Sequence, residues 1–190
     1  MTNGWNEFER GQREPESPSA GRTTTEDTNI PADRIKIRRA GPEDASIIAE
    51  VLQESFVEFK ELYSDEGFAA TTPSAEEVLS RMREGPVWVV LCDGAVSGTV
   101  SAVFKAKSTY IRGMAVLPSA RGSGAGLALL QHAEGWAAKQ VRARLFLSTT
   151  PFLSSAIVLY ERSGFRRNEE GPHELFGTPL LTMEKDIHPK

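Results

Sequence analysis

The run Val116-Leu117-Pro118-Ser119-Ala120-Arg121-Gly122-Ser123-Gly124-Ala125-Gly126-Leu127-Ala128-Leu129-Leu130 constrains this chain more than any other segment. It reads as a strand end, a glycine-rich turn and then a helix. Such a turn leaves backbone N–H groups unpaired at a helix N-terminus, where the helix dipole also favours negative charge. Gly122, Gly124 and Gly126 let a bulky phosphate approach the backbone. Three kinds of phosphate loop share this design, and spacing separates them. A Walker loop ends in Gly-Lys-Ser/Thr, and no lysine stands here. A dinucleotide fingerprint needs G-x-G-x-x-G, but Leu127 occupies the third glycine's place. It also needs an acid closing the next strand, and Ala143 to Thr149 holds none. What remains is Arg-x-x-Gly-x-Gly after a strand that ends Val-x-Pro.

The rest of the chain sets the frame for that loop. Its 190 residues, 39% of them hydrophobic, suffice for one domain with its own core. Residues 1–33 are rich in Glu, Ser, Thr, Pro and Gly without an apolar period, so they read as a disordered acidic tail. That leaves 34–190 as the folded domain. The tail carries the whole formal charge of −4, so the domain is neutral. A neutral domain without a basic block argues against nucleic acid as a partner. The longest apolar run, Val87 to Cys92, is far too short to span a bilayer, and no signal peptide is evident. A lone cysteine, Cys92, forms no internal disulfide and suits a cytoplasmic setting. It reads as a small buried hydrophobe. His132, His173 and His188 lack metal-ligand spacing, and His132 reads as a surface or packing residue.

Local patterns predict the element order. Ile35 to Arg39 alternates as a strand does. Pro42-Glu43-Asp44 opens a helix with Ile48, Leu52, Ser55, Phe56 and Phe59 on one face. Tyr63 to Thr72 reads as an aromatic-rich loop, and a second helix runs from Thr72 to about Gly85. Val87–Cys92, Ala95–Lys105 and Ser108–Val116 read as strands, the first pair joined by a tight Asp93-Gly94 turn. A helix from Gly124 to about Gln140, a buried strand at Leu145–Ser148 and a helix from Ser154 to Ser163 capped by Gly164 follow. Arg166 to Ile187 holds two further strand candidates around Gly177-Thr178-Pro179. The three middle strands must be antiparallel. The strands flanking the glycine-rich helix need a crossover and are expected to be parallel.

A second motif sharpens the first. Ala156-Ile157-Val158-Leu159-Tyr160-Glu161-Arg162-Ser163-Gly164-Phe165 looks like A-x-x-L-Y-E-x-x-G-F. One strand separates it from the R-x-x-G-x-G loop, and the pair together is specific. Loop, helix and element order resemble the GNAT (GCN5-related) N-acetyltransferases over roughly Ile35 to Lys185.

The resemblance implies an α+β fold, the GNAT acyl-CoA N-acyltransferase fold. Its mixed, mostly antiparallel central sheet has splayed parallel strands and is flanked by helices. It implies acetyl-CoA as cosubstrate, no metal, and a primary amine on a small molecule or peptide as acceptor, with direct attack in a ternary complex. It implies neither nucleic acid nor membrane as partner, and it allows a homodimer. Arg121, Gly122, Ser123, Gly124, Ala125, Gly126 and Leu127 become the pyrophosphate loop, with backbone N–H groups as donors. Met114, Ala115 and Val116 become the strand edge that pairs with the pantetheine amides and aims an N–H at the thioester oxygen. Tyr160 becomes the acid that protonates the departing thiolate, since a phenol of pKa about 10 can donate to a thiolate whose thiol has pKa about 8.5. Taken from its helix alone, Tyr160 reads equally as an amphipathic core residue.

Two departures matter. Many members carry an asparagine three residues before the alanine, where this chain has Leu153. No general base is evident on Ser108–Arg112; Glu54 and Glu58 are candidates, as is a water relay. Glu50, Glu54 and Glu58 are spaced to stack on one helix face, either as a solvated face or as an acidic rim. Tyr63 and Phe68 are candidate acceptor-pocket residues. The reading from another class is a non-catalytic acyl-CoA-binding sensor or regulatory module.

Overall fold

The computed structural model describes residues 35–106, 108–140 and 144–187. The expected disordered tail lies outside them. Strands are β1 (Ile35–Arg39), β2 (Val87–Cys92), β3 (Ala95–Lys105), β4 (Ser108–Val116), β5 (Arg144–Thr149), β6 (Arg166–Asn168), β7 (Glu174–Leu175), β8 (Thr178–Pro179) and β9 (Leu181–Asp186). Helices are α1 (Ala45–Phe56), α2 (Asp65–Thr71), α3 (Ala75–Glu84), α4 (Ala125–Lys139) and α5 (Ser154–Arg162). Seven strands form one sheet in the order β1-β2-β3-β4-β5-β9-β6, and β7 and β8 form a separate hairpin. Every pairing is antiparallel except β4 with β5. This is the α+β architecture expected from the sequence, with one crossover through α4.

Strand periodicity sorts side chains onto two faces. Val87 and Val89 of β2 join a cluster with Ile48, Val51, Leu52 and Val78 from α1 and α3. Trp88 and Val90 face the other way, into a cluster with Leu129, Leu130, Ala133 and Ala137 of α4 and Tyr160 of α5. With both faces covered, β2 is almost wholly buried, which explains its unbroken apolar run.

Four segments differ from the sequence reading. Tyr63–Thr72 is not a loop, because α2 occupies Asp65–Thr71. Ser64 caps it, its hydroxyl accepting from Gly67 N, and Asp65 and Glu66 complement the dipole in its first turn. The first helix ends at Phe56 and continues as a 3-10 segment over Val57–Leu62. The change of pitch takes Glu58 off the face of Glu50 and Glu54 and into an ion pair with Arg121. The region after Arg166 holds four short strands rather than two, since Phe176-Gly177 makes a tight hairpin between β7 and β8 with φ of 49° and 81°. Also, β5 alternates buried and half-buried residues instead of being uniformly buried.

An ion pair fixes the entry to α1. Arg38 donates to both carboxylate oxygens of Asp44 at 2.7 Å, and Gly41 N donates to Oδ2 at 2.8 Å. The Arg38 guanidinium, with help from the Gly41 amide, holds the Asp44 carboxyl below its ordinary range despite burial.

Candidate active site

The site begins where two parallel strands part. β4 pairs with β5 only from Ser108 to Ile111, opposite Arg144 to Leu147. β4 nevertheless stays paired with β3 as far as Val116, and β5 stays paired with β9 as far as Thr149. Each strand is held on its outer side and released on its inner side. The edge of β4 from Arg112 to Val116 therefore has backbone groups to offer a guest.

A bulge lies in that edge. Thr99 pairs with Ala115 and Ser101 with Arg112, so β4 carries one residue more than β3 across this interval. Gly113 has φ of +57°, which suits an inserted residue that bends the strand. The extra residue interrupts the regular ladder with β3 between Arg112 and Ala115. Met114, Ala115 and Val116 thus lie along the open edge, with Ala115 buried and the others half-buried.

At the end of this edge, Pro118–Ala120 makes a 3-10 turn and the glycine loop enters α4. Gly124, the N-cap, has φ of +92°, and Gly122 has φ of +79°. A Cβ on Gly122 would meet nothing within 4 Å, and one on Gly124 only Ile35 Cδ1 at 3.9 Å. Both glycines therefore face open space over the loop, and a side chain there would stand in the cradle. Among the described residues, no protein acceptor takes the amides of Gly122, Gly124, Gly126 or Leu127. The Ser123 hydroxyl donates to Ala120 O at 2.7 Å and accepts from Ala125 N at 3.3 Å, which shapes the turn. Arg121 reaches away from the loop: it pairs with Glu58 and donates to Ser55 O at 3.0 Å. The loop is thereby strapped to the end of α1.

Tyr160 lies on α5 in the same cluster as α4, 6% exposed. Its ring centroid is 5.9 Å from that of Phe165. Burial, and secondarily the nearby Tyr110 hydroxyl, push its phenol well above the ordinary value. It is therefore a protonated donor throughout the neutral range. Leu153 is the N-cap of α5 and makes no side-chain cap bond.

Near the parting of β4 and β5, aromatic side chains from separated segments meet. Tyr63 packs edge-on against Phe152 at 4.9 Å and against Phe68 at 6.0 Å, and Phe59 stacks on Phe152 at 6.2 Å. Burial raises the Tyr63 pKa, while the Thr150 and Thr71 hydroxyls facing it act in the opposite direction. Tyr110 stacks on Phe146 at 4.9 Å, across the last part of the parallel pairing. Phe152, Thr150, Tyr110 and Phe146 escaped the sequence reading. Phe152 had a signal, an aromatic directly after a strand that flanks the gap. The candidate bases do not converge here. Glu58 is held by Arg121, and Glu54 lines an outer groove with Glu50, Glu66 and Glu77. Among the described residues, no three His, Cys, Asp or Glu side chains are grouped to hold a metal. The His132 ring packs edge-on against Trp88 at 5.2 Å.

Known proteins share this fold. The acetyltransferase (GNAT) family profile matches residues 48–165. An uncharacterized N-acetyltransferase of Escherichia coli, YjgM, is 31% identical over 144 residues, which are 72% of this chain and 85% of that protein. The crystal structure of the PaiA N-acetyltransferase from Thermoplasma acidophilum in complex with coenzyme A superposes with a TM-score of 0.68 at 22% identity, covering 80% of this chain and 99% of that one. YncA of Salmonella typhimurium with its cofactor acetyl-CoA gives a TM-score of 0.62 at 20% identity, over 83% and 98% of the two chains.

Proposed function

The chain belongs to the GNAT acetyltransferase family, and from that premise we propose that it moves an acetyl group from acetyl-CoA to a primary amine by direct attack in a ternary complex. The observation that supports this reading is the release of β4 from β5 after Ile111, with the glycine loop following the end of the released edge. That acetyl-CoA is the donor is supported by the related structures that hold coenzyme A or acetyl-CoA.

In this reading the loop from Arg121 to Leu127 holds the pyrophosphate, with the amides of Gly122, Gly124, Gly126 and Leu127 and the α4 dipole facing it and Ser123 and Ala125 shaping the turn. The Arg121 side chain ties the loop to the end of α1. Gly126 packs closely, since a Cβ there would lie 3.4 Å from Leu159 Cδ2. The released edge at Met114–Val116 pairs with the pantetheine amides, and a bulge N–H points at the thioester carbonyl. The neutral amine attacks that carbonyl carbon: a C–N bond forms, the C–S bond breaks, and the oxyanion on the way is met by the bulge N–H. Tyr160 gives its proton to the sulfur, and the amine's proton leaves through water. Burial keeps the phenol protonated but also weakens it as an acid, so the proton transfer to sulfur relies on the position of the hydroxyl and not on its pKa. The lone buried Cys92 fits the cytoplasm as the setting.

Thiol release against a panel of amines tests the activity, and Tyr160→Phe tests the mechanism. That substitution keeps the packed ring and removes only the donor. A fall in kcat of ~10²–10⁴-fold with acetyl-CoA affinity unchanged is expected. Wild-type turnover by Tyr160→Phe, with chemistry rate-limiting, would reject the acid role. Loss of stability and cofactor binding together would make Tyr160 a core residue only. Tight acetyl-CoA binding without thiol release on any amine would favour the sensor reading.

A further inference from the structure

Arg112 stands at the first β4 position beyond the last β4–β5 pair. It shares a strand face with Tyr110, two residues earlier. Its side chain is 20% exposed, yet its Nε and Nη2 atoms are shielded from solvent and hydrogen-bond to no described residue. Those two nitrogens form one edge of the guanidinium. Their parallel N–H groups are the fork that grips a carboxylate with two bonds. Glu84 Oε1 lies 3.0 Å from Nη2 as an ion pair, and Arg112 holds the Glu84 carboxyl below its ordinary range, so of the two nitrogens Nε is the one left without a counterpart. The Glu84 side chain is itself 45% exposed, so it is a partial counter-charge.

A second cation adds to the imbalance. Arg81 is three residues before Glu84 on α3, on the same helix face. Its Nη2 donates to Ala70 O at 2.8 Å. Burial, and then the charge of Arg112, lower its pKa, which marks two guanidiniums close together. Glu77 is engaged at the other end of α3, where it caps Ser74 N at 2.7 Å. Arg81 and Arg112 thus share two carboxylates, Glu84 and Glu77. The Arg112 Nε nevertheless stays buried without a hydrogen-bond partner, a cost that an anion meeting it would relieve. Tyr110 stacks on Phe146 at the end of the β4–β5 pairing, so Arg112, two residues further on, stands at the start of the released edge.

We propose that the acceptor is an amino-carboxylate of the free amino acid type, whose carboxylate sits on the Nε–Nη2 edge of Arg112 beside Arg81. The proposal rests on reading this gap as the acceptor side of an N-acetyltransferase. Gripped by its carboxylate, such a substrate presents its amine toward the thioester, while the Tyr110–Phe146 and Tyr63–Phe152 rings line the space for its side chain.

The test uses the full chain, acetyl-CoA and matched acceptors: phenylalanine against 2-phenylethylamine and phenylalanine amide, and leucine against isopentylamine and leucine amide. The wild type is expected to favour the free acids by at least about a hundredfold in kcat/KM. Arg112→Lys should cut that ratio at least about tenfold, chiefly through KM, and Arg112→Met should bring it near unity. Glu84→Gln should keep the preference, which separates substrate binding from loss of an ion pair. Melting and acetyl-CoA affinity of each variant establish that it is folded. If both Arg112 variants unfold, the wild-type ratio alone decides. Equal or better use of the decarboxylated amines, or an unchanged ratio in a folded Arg112→Met, overturns the proposal and leaves the N-acetyltransferase reading standing. No thiol release with any amine, while acetyl-CoA binds, fells that reading and this one with it.

Discussion

The two sides of the gap between β4 and β5 are made of different material. One side is backbone: the bulged edge Met114–Val116 and the loop from Arg121 to Leu127, consecutive in sequence and shaped by Gly113 and Gly124. The other side is side chains: Phe59, Tyr63, Arg81, Tyr110, Arg112, Phe146 and Phe152, drawn from the end of α1, α3, β4, β5 and the turn after it. Backbone donors have the same chemistry whatever residue carries them, so they suit a ligand that stays constant. Side chains can be exchanged without disturbing the sheet, so they suit a ligand that varies. The difference teaches which parts of such a molecule define the family and which define the individual.

Perturbing each side should therefore move a different constant. Gly124→Val places a branched side chain in the cradle and strains a residue held at φ of +92°. Acetyl-CoA affinity should fall at least about tenfold, or ~1.4 kcal/mol, by calorimetry on a folded protein. A Gly124→Val effect confined to the amine's KM would break the division outright. Phe152→Ala removes the ring that Tyr63 and Phe59 pack against. An aromatic pair contributes about 0.5–1.5 kcal/mol, so the acceptor KM should rise roughly fivefold with acetyl-CoA affinity held within about twofold. Equal losses on both ligands would show that Phe152 braces the whole gap.

Acid should discriminate between the sides more gently. The folded pKa of Asp44 is depressed, so its stabilisation is complete above the unfolded carboxylate pKa of about 3.9 and is lost as pH falls through the folded value. Since Arg38 is 45% exposed, Asp44→Asn should cost only about 1 kcal/mol at pH 6, with the difference from wild type closing as pH drops below the unfolded carboxylate pKa of about 3.9. Urea melts at the two pH values measure it. Hydrogen exchange should show α1, which Asp44 anchors, loosening before α4. Simultaneous loosening would mean the clasp serves the whole domain.

The backbone side was legible because its information is local. The alternation in Ala95–Lys105 and Ser108–Val116, the Asp93-Gly94 turn and the glycine loop each carry their own signal within a few residues. The side-chain side was not, because Arg112 and Glu84, or Tyr63 and Phe152, meet only after the sheet and helices assemble. The helix α2 is an intermediate case. It is too short to show a period, but Ser64 and the acids at Asp65 and Glu66 spell a helix start. Glu58 misled by its spacing from Glu54, since the change of pitch after Phe56 cannot be seen in a charge pattern.

A strand left half unpaired has a further consequence, for the lifetime of the protein rather than its chemistry. An open edge ordinarily invites a second chain to add itself as a strand. Here the strand on the other side of the edge, β5, is already paired along its far side with β9, and α4 and α5 pack on the same sheet. On the proposed reading, acetyl-CoA finishes the sheet, and whatever binds only the folded form shifts the folding balance toward it, by about 2.7 kcal/mol at a hundred times its dissociation constant. The resistance of this chain to heat and proteolysis would then follow the acetyl-CoA level around it, so that a starved cell holds not an idle enzyme but a more perishable one.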